Sequence, residues 1–292
     1  MSIFQGSAVA IITPFDESGI RFDVFAQHIN FLIENGTDAI VVCGTTGEPA
    51  TMTESEKQSA IRFAVETVAG RIPVIAGSGG NNTAKVIADS KKAQELGADA
   101  LLVVTPYYNK CTQDGLVAHY TAVAEAVDLP VILYNVPGRT GVNIQPATLQ
   151  KLAAVKNIAA IKEASGNIEQ ITEMARLCPQ LDFYSGNDDH VVPLLALGAK
   201  GVISVTANVC PREVHDMVAA WFDGDIEKSR ALQFRLNPLT KALFSEVNPI
   251  PVKAAVGLLG FEAGAPRLPL TPLSDGPRQR LIAEMQALGL IG

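Results

Sequence analysis

The chain is poor in the residues that usually announce a metal, a redox centre or a polyanion partner. Its 292 residues include four histidines and four cysteines. The cysteines, Cys43, Cys111, Cys178 and Cys210, lie far apart, and no Cys-x-x-Cys pair occurs. That spacing argues against a disulfide framework or a zinc site. Cys43 sits in an apolar run and reads as a small hydrophobe. There is no basic surplus: the formal net charge is -7, so the electrostatic footprint of nucleic-acid binding is missing. No apolar run approaches the ~20 residues that span a bilayer. The opening MSIFQGSAVA lacks the charged-then-apolar order of a secretory signal. The expectation is a cytoplasmic protein with no metal, no organic cofactor, and no membrane or nucleic-acid partner.

What the chain has is apolar residues in a repeating order. It is 48% hydrophobic and 18% charged, enough for a large core. A short Val/Ile/Ala-rich run ends in a polar or glycine-bearing turn, and a longer amphipathic stretch follows. The runs are SAVAIITPF, AIVVCGTTG, PVIAGSGG, ALLVVTPYYN, PVILYNVPGRTG, AAIKEASG, DFYSGND and GVISVTANV. Continuous apolar runs are strands covered on both faces, as in a parallel sheet. Between them, Thr53-Glu54-Ser55-Glu56 has the pattern of a capping box, and Gly70 marks the end of that helix. Asn82-Thr83 and Gly97 bracket the next. Thr112, Gln145-Pro146 and Cys210-Pro211 are further starts.

Eight strand–helix units predict an α/β fold, a (β/α)8 barrel. An open doubly wound sheet fits less well, because Thr13-Pro14-Phe15-Asp16 is not a glycine-rich phosphate turn. From about Asp225 only helical patterns remain. The expected organisation is a barrel over 1–224 and a C-terminal helical appendage over 225–292.

In such a barrel, chemistry sits at the carboxyl ends of the strands. There the sequence offers Thr45 and Thr46 after the second run, Tyr107 and Tyr108 after the fourth, and Tyr134 and Arg139 after the fifth. Lys162 lies in the sixth, Gly186 after the seventh, and Ile203 in the eighth. No histidine stands at a strand end among carboxylates; His190 reads as a helix start. There is no Gly-x-Ser-x-Gly elbow, and Gly77–Gly80 lacks the sequel of a phosphate loop. A lysine on a buried strand loses affinity for its proton, and the neutral amine can attack a ketone to form a Schiff base. The threonines offer hydroxyls and turn amides to a carboxylate. Tyr134 offers a proton carrier, and Arg139 a fork for a second acidic substrate. Each residue also has a plain alternative. Lys162 could pair with Glu163 at an edge, and the threonines could cap a turn. The tyrosines could pack, and Arg139 could make a surface ion pair.

The segments GTTGE, VTPYYN, YNVPGRTG, IKEASG, GVISVTANV, NPIPVK and RLPLTP resemble the dihydrodipicolinate synthase family of pyruvate-dependent class I aldolases over essentially the whole chain. The resemblance implies condensation of pyruvate with L-aspartate 4-semialdehyde, opening lysine and diaminopimelate biosynthesis. It implies Lys162 as the Schiff-base lysine and Tyr134 as general acid/base. Thr45 and Tyr108 complete a proton relay, with Tyr108 reaching a neighbour's site. Thr46, the Ile203 backbone and Gly186 bind substrate, Arg139 holds the aldehyde's carboxylate, and the assembly is a homotetramer built as a dimer of dimers. N-acetylneuraminate lyases and sugar keto-acid aldolases look alike around the lysine, but differ at VPGRTG. A non-catalytic barrel that binds a keto acid is the remaining alternative. In the cleft where lysine inhibits some members, matched by Pro49, Ala50, Glu54, Lys57, Asn81, Lys85 and Tyr107, two lysines replace the usual histidine and glutamate. Like charge would repel a cationic ligand, so weak or absent inhibition is expected.

Overall fold

The computed structural model describes residues 2–292. Its strands are β1 (Gly6–Ala10), β2 (Phe15–Asp16), β3 (Gly19–Ile20), β4 (Ala39–Val42), β5 (Val74–Gly77), β6 (Ala100–Val104), β7 (Val131–Asn135), β8 (Ile158–Glu163), β9 (Asp182–Ser185) and β10 (Gly201–Ser204). The helices are α1 (Phe22–Glu34), α2 (Glu54–Val68), α3 (Thr83–Glu95), α4 (Gln113–Glu125), α5 (Pro137–Thr140), α6 (Pro146–Leu152), α7 (Ile168–Leu177), α8 (Val191–Ala196), α9 (Pro211–Phe222), α10 (Ile226–Leu243), α11 (Ile250–Leu258) and α12 (Asp275–Ala287).

Eight parallel strands close a barrel in the order β1-β10-β9-β8-β7-β6-β5-β4, and they are the eight runs read from the sequence. The helix signals also hold. Thr53 and Glu56 exchange both bonds of a capping box, and Asn82 and Thr112 cap α3 and α4. The α2 helix ends one residue early, with Ala69 left-handed ahead of Gly70. The β2–β3 hairpin was not anticipated, because two residues per strand are too few to show an alternation. Its turn is set by Asp16, whose Oδ1 accepts from Ser18 N–H at 2.7 Å and Gly19 N–H at 3.1 Å.

Successive residues of a strand face opposite sides, and the two apolar clusters follow that rule. Ala8, Ala10, Ala39, Val41, Ile132, Tyr134, Ala160 and Ile203 fill the barrel interior. Val9, Ile40, Val42, Val131, Leu133, Ile161 and Val202 face the helices. Phe4 stacks on Tyr184 at 4.2 Å between centroids, and its carbonyl accepts from the Tyr184 hydroxyl at 2.7 Å. This pair plugs the amino-terminal end of the barrel. The tail helices bury Leu236, Leu239, Leu243, Val252, Val256, Leu281 and Met285 in the same outer cluster as the barrel helices.

Candidate active site

With Ala160 inward and Ile161 outward, alternation along β8 turns Lys162 into the barrel. The ammonium-bearing side chain is 4% exposed. Lys162 pairs in register with Tyr134 on one side and Tyr184 on the other. Its Nζ lies 4.5 Å from the centre of the Tyr134 ring. Burial draws Lys162 down to about 8; the Asp188 carboxylate works against that fall, and the Arg139 guanidinium adds to it. Gly186 leaves the room this lysine needs. A Cβ there would stand 2.7 Å from Ala164 Cβ and 3.0 Å from Lys162 Cε.

Tyr134 is buried, which pushes its phenol up; Arg139 and a hydrogen bond with Thr45 pull it back. Thr45, Thr46 and Gly47 form one tight turn after β4. The Gly47 N–H donates to Gly44 O at 2.8 Å, and Thr13 Oγ1 donates to Gly47 O at 2.8 Å. The Thr46 hydroxyl accepts from Asn248 Nδ2 at 3.0 Å. Arg139 rides on α5, a single turn started by Pro137, and donates to Asn248 O at 3.2 Å. Asn248 therefore joins both ends of the site, although it lies in the tail. The sequence signal was an Asn-Pro step in NPIPVK, which reads as a helix start when the tail is taken for an appendage.

Around a small cavity of about 70 Å³ the structure brings together Thr45, Thr46, Tyr134, Arg139, Lys162, Gly186 and Asn248. Ile203 is fully buried in the inner layer beside Ala8. Tyr108 is not brought in. It is 89% exposed at φ 71 and lines neither cavity of this chain. Asp188, the last residue of the DFYSGND run, is a further buried carboxylate, one to which the sequence reading gave no role. It accepts from Ser204 Oγ and from Val205 N–H at 2.9 Å and Thr206 N–H at 3.2 Å, which offsets the rise that burial causes. Among the described residues, no group of three or more His, Cys, Asp and Glu side chains is placed to hold a metal ion.

A larger cavity of about 500 Å³ shares Thr45, Tyr134 and Arg139 and runs outward past Pro49, Ala50, Glu54, Lys57 and Tyr107. The expectation was of two like charges meeting a cationic ligand; in the structure each of the two lysines has a carboxylate beside it. Lys85 is bonded to Glu54 and, at 2.8 Å, to Asp89, and Lys57 lies 3.7 Å from Glu54. The carboxylates that a cationic ligand would use are thus already engaged. Asn81 Nδ2 donates to Tyr107 O at 3.2 Å.

This arrangement suits amine catalysis: a lysine that gives up its proton easily, a phenol beside it, hydroxyls in a rigid turn and a guanidinium at the mouth. The comparisons agree with it. The Dihydrodipicolinate synthetase family matches residues 3–288. A 4-hydroxy-tetrahydrodipicolinate synthase from Caldicellulosiruptor bescii is 56% identical over 282 residues, covering 96% of each chain. The solved dihydrodipicolinate synthase of Thermotoga maritima superposes with a TM-score of 0.97 at 43% identity, over 99% of this chain and 100% of that one. A structure of the Cyanidioschyzon merolae enzyme with lysine bound has a TM-score of 0.97 at 43% identity, covering all of both chains.

Proposed function

The chain belongs to the dihydrodipicolinate synthetase family, and on that premise we propose that Lys162 is the amine on which its reaction runs. The reaction is the condensation of pyruvate with L-aspartate 4-semialdehyde through a lysine Schiff base, giving 4-hydroxy-tetrahydrodipicolinate in diaminopimelate and lysine biosynthesis. The observation that carries the assignment is a lysine 4% exposed, held near 8 and in register with a buried tyrosine.

The neutral amine of Lys162 attacks the pyruvate ketone carbon, and the carbinolamine loses water to give an iminium. Loss of a methyl proton yields an enamine. Its carbon attacks the aldehyde carbon of the second substrate, and the resulting alkoxide takes a proton. The amino group of that substrate then adds to the iminium carbon and displaces Lys162, closing the ring and freeing the enzyme.

Tyr134 moves the protons of these steps, with Thr45 linking it to the next carrier. Thr46 and the turn amides take the pyruvate carboxylate, and the Ile203 backbone closes the other side of that pocket. Gly186 borders the pocket and keeps the lysine stem in place. Arg139 forks onto the carboxylate of the aldehyde. Tyr108 completes the relay in the site of a second copy, within a homotetramer built as a dimer of dimers; its exposure and its absence from the lining of the cavity around Lys162 support that reading. The cleft past Glu54 and Lys57 binds lysine weakly or not at all.

The test is a product assay with pyruvate and either aspartate semialdehyde or a sugar keto-acid substrate. Ring-closed product from aspartate semialdehyde supports the assignment. Turnover of N-acetylneuraminate in its place overturns it.

A further inference from the structure

One set of buried charges has no part in the chemistry above. Glu48 ends the turn that carries Thr45 and Thr46, at φ 58, in the left-handed region that a glutamate seldom occupies. Its carboxylate is sealed in. One oxygen accepts from Lys253 Nζ at 2.7 Å, and the other from Arg267 N–H at 2.8 Å. The two side chains of the ion pair are 1% and 0% exposed.

Lys253 comes from α11, far along the chain. It also donates to Ala265 O at 3.2 Å and stands 4.3 Å from the centre of the Phe15 ring. The Arg267 guanidinium covers the same ring at 4.0 Å and grips Glu56, the residue that closes the capping box of α2, at 3.0 Å. The cluster therefore ties the β2–β3 hairpin, the threonine turn, the start of α2 and the tail to one another.

A buried ion pair contributes little stability over an apolar replacement, because both ions must be stripped of water. A strained backbone persists only where its surroundings over-determine it. Both facts point to a geometric role, and the neighbouring bonds show which geometry. The turn is held at Gly47 by Thr13, at Thr46 by Asn248 and at Glu48 by Lys253. Two of those three anchors come from the tail.

We propose that Glu48 and Lys253 are positioning residues for the reaction. Their ion pair fixes the turn so that the Thr45 and Thr46 hydroxyls meet Tyr134 and the Lys162 adduct, and the C-terminal helices are thereby part of the catalytic apparatus. This rests on the reading that Thr45 and Tyr134 carry protons for Lys162.

The experiment compares Lys253→Ala and Glu48→Gln with wild type. Glu48→Gln keeps the shape of the side chain and carries the test if Lys253→Ala fails to fold. In a folded variant kcat falls about 10²-fold, the loss that follows from misplacing a reacting group by about 1 Å. The KM for pyruvate rises as well, because the same turn carries Thr46, while borohydride still fixes pyruvate on Lys162. The alkaline limb of the kcat profile moves to higher pH, because Tyr134 loses the bond from Thr45 that lowers it. A folded variant with kcat within about twofold of wild type and an unmoved profile overturns the proposal. Failure of wild type to label at Lys162 would instead overturn the site assignment beneath it, so the two failures are distinguishable.

Discussion

Replacing Lys162 by methionine should make the protein more stable near neutral pH while abolishing its activity. Methionine keeps the length of the side chain and removes the charge that burial penalises. The folded protein holds Lys162 at about 8, against 10.5 for the exposed amine. A folded value below the unfolded one means that the penalty is fully present below the folded value. It is relieved as pH rises from there toward 10.5. At pH 7 the penalty is roughly 3 kcal/mol. The variant should therefore melt several degrees above wild type at pH 7, and the gap should close by about pH 10. Thermal unfolding of both proteins across that range is the assay. A variant that melts below wild type at pH 7, or a gap that does not change with pH, would refute the reasoning. The same lowering leaves about one amine in ten neutral at pH 7, a gain of roughly 300-fold over an unperturbed lysine. Stability is exchanged for a nucleophile.

Other outcomes follow from the same geometry. Tyr134→Phe should lower kcat by roughly 10²–10⁴-fold while pyruvate still reaches Lys162, and an unchanged turnover number would remove the phenol from the mechanism. If Tyr108 serves a partner's site, mixing inactive Tyr108→Phe and Lys162→Ala subunits through dissociation and reassembly should restore up to about a quarter of wild-type activity, since half of the random dimers carry one intact site; no recovery after subunit exchange would keep Tyr108 out of the relay. His28 is buried and drawn down to about 4, with Nε2 at 3.0 Å from Asn208 O. Its contribution is intact above 6.5 and lost as pH falls toward 4, by roughly 3 kcal/mol, so His28→Gln should flatten the acid limb of a stability profile. Inhibition by lysine should be weak or absent, because Lys85 and Lys57 occupy Glu54; half-maximal inhibition at micromolar to low-millimolar lysine would contradict that.

The barrel was legible because each strand is an uninterrupted apolar run between turns, and burial on two faces demands that pattern. That Lys162, Tyr134, the threonines and Arg139 would meet around one cavity was legible, because the fold puts the carboxyl ends of all the strands together. Asn248, Lys253 and Arg267 were not, because their partners lie some 200 positions away. No local periodicity records that Lys253 meets Glu48 or that Asn248 meets Thr46. Asp188 was in view among the strand ends, but its value comes from two turn amides and Ser204, which only the folded backbone brings to it. The charge of the outer groove was misjudged only in part for a related reason. Only the bond from Lys85 to Glu54 joins two helices; Lys85 with Asp89 and Lys57 with Glu54 are one-turn neighbours that the sequence shows.

Reduction with borohydride in the presence of pyruvate, followed by peptide mapping, tests the centre of the account. A single adduct on Lys162, dependent on pyruvate and absent from Lys162→Ala, is the predicted result. An adduct on another amine, or none, would contradict it.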